Sequence, residues 1–148
     1  MFKYIIPVLL VITSAAAPVP QQSPTSSDLT AGLPNGRFWL RRSQDEKLVW
    51  LFGYSDGIKA AAAFVLESDP DKKLLAKYVL HLQPTDQLTP AEIVHGIDHF
   101  YQDTPENALV TMVGALNYVT LKAKGAKQSE LDNLASGMRK AASSPEKP

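Results

Sequence analysis

From Ser43 onward, apolar positions recur every three or four residues, and that spacing predicts helices. Ser43 with Glu46 three residues later makes a capping-box signature, and the chain is then almost continuously apolar to Leu66. Thr89, Pro90 and Glu92 repeat the signal with proline in the first turn. Thr104 with Pro105 opens a third helix, which Gly125 ends just after Lys122 and Lys124, where cations suit the carbonyl end. Ser129 opens a last amphipathic helix through Leu131, Leu134 and Met138. Two segments are weaker. The stretch NGRFWL, 35–40, predicts a short turn or helix that lays Phe38 and Trp39 on the core. KYVLHL, 77–82, alternates like a strand, but a lone strand would have no partner in this sequence, so the run from Asp69 to Leu80 reads as helix. The expected fold class is all-α, a small bundle of four to five helices.

The helix from Ser43 to Leu66 has only a narrow polar arc, containing Ser55, Asp56 and Lys59. A helix that is apolar almost all round is expected to be central and covered by others. Gly53 and Gly57 lie one turn apart on it, and each weakens a helix by about 1 kcal/mol relative to alanine. The expectation is structural: a neighbouring backbone packs closely there. A ligand-facing groove at the glycines is the alternative. Asp56 and Lys59 are expected to form a solvated side-chain pair.

Both ends differ in composition. MFKYIIPVLLVITSAAA, 1–17, has one lysine, an apolar run and small residues in the order of a secretory signal peptide, so the protein is expected to be exported, periplasmic or secreted. PVPQQSPTSSDLTAGLP, 18–34, has four prolines and little to bury, and reads as a disordered linker. The helical domain is expected over 35–142 and a disordered tail over 143–148, with no stable membrane span after the leader.

Composition then removes several chemistries. Without cysteine there is no disulfide, thiolate nucleophile or thiolate metal site. Loss of Lys3 with the leader leaves 14 basic against 15 acidic residues, so there is no basic field for nucleic acid. No Gly-rich phosphate loop and no G-x-S-x-G elbow is present. His95 to His99, HGIDH, has the outline of the inverted zinc-peptidase pattern H-x-x-E-H with aspartate for glutamate. On the wheel, however, both histidines lie opposite the apolar face of Ile93, Val94, Ile97, Phe100 and Tyr101, so they should face solvent or a partner. No catalytic residue, cofactor or metal is therefore assigned.

The stretches GYSDGIKAA, 53–61, and LTPAEIVHGIDHFYQDTPENALVTMVGAL, 88–116, resemble the exported immunity proteins of the Tai and Rap group, which protect bacteria from type VI secretion peptidoglycan amidases. Gly53-Tyr54-x-x-Gly57-Ile58-x-Ala60-Ala61 is similar to that group's G-Y-x-x-G-V-x-D-A helix, with Ala60 where the family has aspartate. Leu88 to Leu116 is similar to its capped helix, the aromatic end near Tyr101, the following Pro105-Glu106, and Ala115-Leu116 of the next helix. The resemblance implies an all-helical, often dimeric binding protein that is not an enzyme and that obstructs a toxin's substrate cleft. Its partner would be a peptidoglycan amidase. The surface best placed to enter a cleft is the polar connection around His81, Gln83, Asp86 and Gln87. The competing readings are an envelope structural or adaptor protein of the same fold, which the proline-rich tether suits, and a metal-dependent hydrolase using His95 and His99.

Overall fold

The computed structural model describes residues 23–144. The expected signal peptide and the first linker residues, 18–22, lie outside the described residues, as does most of the expected tail. The described chain is mostly helical: α1 (Gly36–Leu40), α2 (Gln44–Ser68), α3 (Lys73–Leu80), α4 (Pro90–Gln102), α5 (Met112–Ala123) and α6 (Gln128–Ser143). Short 3₁₀ turns precede α3 and α5, and a two-stranded hairpin, β1 (Leu29–Thr30) and β2 (Leu33–Pro34), precedes α1.

The caps at α2 and α4 form as the sequence dictates, whereas α6 starts at Gln128, one residue before the expected Ser129, with Lys127 in the N-cap position. Ser43 accepts from the Glu46 amide while Glu46 reaches back to the Ser43 amide, and Thr89 and Glu92 do the same at α4. Gly125 ends α5 with φ +82°, a backbone conformation that glycine adopts without cost. The third helix differs from expectation. Thr104 and Pro105 open only a 3₁₀ turn, Pro105–Leu109, and α5 starts afresh with Thr111 as its cap. The break has a physical cause: Val110 is extended and buried, and its carbonyl accepts from the Tyr101 hydroxyl at 3.0 Å.

The core lies among α1, α4 and α5, closed by the first turns of α2 and by α6. Trp39, Ile97, Tyr101, Met112, Ala115 and Leu116 are almost wholly buried in it. Trp39 meets the Trp50 ring edge-on at 5.5 Å, and Trp50 stacks on Tyr54. Close helix contact is made at Gly96, where a Cβ would stand 2.9 Å from the Val119 side chain, and Gly36 lies against the Tyr101 ring.

The glycine expectation is corrected on the same grounds. A Cβ at Gly53 or Gly57 would meet nothing within 4 Å, so no neighbouring backbone among the described residues approaches either. Nor, among the described residues, is the outer side of α2 covered. Its N-terminal half packs on the core through Lys47 and Leu51; beyond that α3 and the connection through Leu82 and Gln83 lie beside it, and Ala62 is the buried residue there. By length and composition α2 could also cross a membrane, which the sequence reading did not expect of this segment.

The linker expectation is corrected too, for residues 23–34. Thr25 caps a 3₁₀ turn ending in Asp28, a β-hairpin follows through Ala31 and Gly32 at positive φ, and Asp28 is fully buried. The Asp28 carboxylate accepts from the Thr25 amide and hydroxyl and pairs with Arg41. Those hydrogen bonds, chiefly from Arg41, hold it well below the usual carboxylate range. Glu46 and Glu92 are lowered by the cap amides they accept from. A carboxylate whose pKa is depressed in the fold stabilises fully above its ordinary value, and that stabilisation disappears as the pH drops. The ordinary values are 3.8 for Asp28 and 4.5 for the two glutamates. The melting temperature should thus stay flat from neutrality to about pH 5 and then fall steeply. A thermal melt series across that range checks it, and an unchanged melt in strong acid would refute it.

Candidate functional site

One residue of HGIDH has a role that sequence reasoning missed. Asp98 turns into the core, where Oδ1 accepts from Lys47 Nζ and from Trp39 Nε1, both at 2.7 Å, and Oδ2 accepts from Gln44 Nε2 at 3.1 Å. Lys47 and Asp98 side chains are only 6% and 9% exposed. Burial pushes the Asp98 carboxyl up, but the hydrogen bonds from Lys47, Gln44 and Trp39 outweigh it and the net shift is downward. This node locks the start of α2 onto α1 and α4. A signal existed in the sequence: Asp98 falls on the apolar stripe with Val94, Ile97 and Tyr101, and a carboxylate there needs a buried cation.

His95 and His99 lie on the exposed face, with their Nε2 atoms 3.0 Å apart and His99 Nδ1 3.3 Å from Asp103. Two histidines a turn apart can offer two ligands to an ion, whereas a zinc site takes three or four. Among the described residues no group of three or more His, Asp and Glu side chains is arranged to hold a metal ion. The zinc-peptidase outline is not assembled, because its acid is the buried partner of Lys47. Replacing both histidines by glutamine should shift the melting temperature by less than about 2 °C, as surface changes do, and differential scanning fluorimetry reads this directly.

Beside them runs a groove of about 760 Å³ between α4, α5 and α6. Phe100, Tyr118 and Val119 line it, together with Glu92, His99 and Asp103 from the α4 side and Lys122 and Arg139 from α5 and α6. Arg139 is already committed to Asn107, whose Oδ1 accepts at 2.9 Å.

The connection from α3 to α4 holds the four polar residues singled out for partner contact, and the structure separates them. His81, Asp86 and Gln87 are exposed. Gln83 is not free for a partner: its amide donates to the Ser55 carbonyl at 2.7 Å and accepts from the Ser55 hydroxyl at 2.9 Å. With Tyr54, whose hydroxyl donates to the Leu82 carbonyl, it ties the connection back to α2. Thr85, passed over by the sequence reading, is buried, and its hydroxyl accepts from the Gln87 amide.

Among the described residues, the α2–α3 hairpin and the start of the connection after it carry most of the exposed large apolar side chains. Val49, Phe52, Phe64, Leu74, Tyr78 and Leu82 are each more than half exposed. Asp56 and Lys59 form the expected exposed pair at 3.5 Å. Soluble monomers seldom leave an apolar patch of this extent uncovered, so such a surface marks an interaction site.

Compared with known proteins, the chain finds no counterpart: no family model, curated protein or solved structure matches it.

Proposed function

We propose that this chain is an exported, non-enzymatic protein-binding module, and that it inhibits a cell-wall amidase by docking against it. The observation that carries the binding reading is the uncovered apolar surface of α2 and α3 on a chain whose core is otherwise closed. The hairpin ends in the exposed polar connection with His81, Asp86 and Gln87, so an apolar platform and a polar probe adjoin each other. Interfaces combine those two elements, an apolar centre for affinity and a polar rim for register. The amidase as partner rests on the resemblance of the Gly53–Ala61 and Leu88–Leu116 stretches, and export rests on the leader-like first 17 residues.

The test has two parts. Affinity capture from envelope extract at native expression should bring down a cell-wall amidase, and the purified protein should slow that enzyme's release of peptide from peptidoglycan. Joint substitution of His81 and Asp86 by alanine should weaken inhibition by about tenfold while the melt is unchanged. Undiminished hydrolysis at saturating protein would end the inhibitor reading. Binding of a different envelope protein would favour the adaptor alternative.

A further inference from the structure

We infer that His95 and His99 chelate a divalent transition ion of square or tetragonal preference, copper(II) above all, on the exposed side of α4. The inference stands apart from the docking reading, which uses α2, α3 and the connection after them. It concerns binding alone and attaches no hydrolysis to the ion, because Asp98, the acid of the HGIDH outline, is bonded to Lys47 in the core.

Distance decides which ions suit the pair. The two Nε2 atoms stand 3.0 Å apart. With metal–nitrogen bonds of about 2.0–2.1 Å, two imidazole nitrogens lie about 2.8–3.0 Å apart at a right angle and about 3.3–3.4 Å apart at the tetrahedral angle. The observed spacing is that of neighbouring corners of a square. Square and tetragonal sites with nitrogen and oxygen ligands belong to copper(II) and nickel(II), and copper(II) binds tightest in the first-row series. The two rings supply one edge of such a site and water the remaining corners, whereas a closed zinc site needs three or four protein ligands.

A second observation concerns the ring of His99. The Asp103 carboxylate lies 3.3 Å from its Nδ1. A carboxylate there holds the ring proton on Nδ1 and leaves the lone pair on Nε2, the outer contact that metal-bound histidines commonly make. The helix that carries the pair is also fixed. Thr89 and Glu92 cap it, Ile93, Val94, Ile97 and Phe100 bury its other side, and Gly96, in the turn between the histidines, packs on Val119. Only the outer ring torsions, which are broad in histidine, must adjust for both lone pairs to meet one ion. The ion competes with a single hydrogen bond between two exposed rings, whose net worth in water is small.

The experiment is calorimetric titration of the protein, as isolated from cells, with copper(II) sulfate and separately with zinc(II) sulfate, in a buffer that does not coordinate metals. The wild type should bind copper(II) about tenfold or more tighter than zinc(II), and its paramagnetic resonance spectrum should show two coupled imidazole nitrogens. His95→Gln and His99→Gln should each weaken copper(II) binding by about tenfold or more, since either one breaks the chelate. Asp103→Asn should weaken it by about tenfold, whereas His81→Gln, on the far connection, should leave it unchanged. All four positions are exposed, so the helical circular dichroism should be retained and a loss of binding is not a loss of fold. Copper(II) binding that survives both His95→Gln and His99→Gln places the ion elsewhere on the chain and overturns the inference. So does zinc(II) bound as tightly as copper(II), or a wild type that takes up no copper(II) at micromolar concentration.

Discussion

Asp98→Ala should cost about 3–5 kcal/mol of unfolding free energy, the range for breaking a buried ion pair from one side. The substitution removes the one carboxylate that Lys47, Trp39 and Gln44 share, so an ammonium is left buried without its counter-ion and an indole N–H without its acceptor. Both losses act on the same junction, where α1, α2 and α4 meet. Urea denaturation followed by tryptophan fluorescence is well suited, because Trp39 and Trp50 both report from this junction. The double substitution Lys47→Met with Asp98→Leu should recover most of the loss, since a buried pair replaced by apolar groups of similar volume is often neutral or better. If the single substitution changes stability by less than about 1 kcal/mol, the node is not buried as described.

How much of this could be read from the sequence divides along physical lines. Caps and periodicity act over four residues, so α4, α6, the short α1 carrying Trp39, and the stop at Gly125 were all readable. The choice of helix for Asp69 to Leu80 also held, as a 3₁₀ turn followed by α3. Long-range facts were not readable in the same way. An apolar helix announces that something covers it, but the sequence does not say whether the cover is the same chain, and for α2 the described chain leaves its outer side open. Likewise Asp98 on an apolar stripe announces a partner without naming Lys47, which lies 51 residues away. Of the candidate contact residues, Gln83 was misread for that reason: its bonds to Ser55 cross 28 residues.

Deleting the chain up to Pro34, so that it starts at Asn35, should lower stability by roughly 2–4 kcal/mol, reckoning about 1 kcal/mol for a neutral hydrogen bond and more for one to a charge. Composition alone argues the opposite, since a polar, proline-rich stretch buries too little apolar surface to offset its ordering entropy. Residues 23–34 are held by another means. Asp28 is buried under charge-assisted bonds, its carbonyl accepts from the Asn35 amide at 2.8 Å, and Thr30 donates to the Leu109 carbonyl at 2.7 Å, 79 residues on. Asn35 itself is wholly buried, caps α1 by accepting from the Arg37 amide, and donates from Nδ2 to Ser27 and Thr30. Truncation strips Asn35 of those two acceptors and leaves the Leu109 carbonyl without its donor, beside the break that starts α5. Calorimetry of the truncated and full chains decides the matter. Coincident melts would mean that the hairpin rests on the domain without stabilising it, whereas a truncated chain that melts well below the full one makes residues 23–34 part of the folded unit.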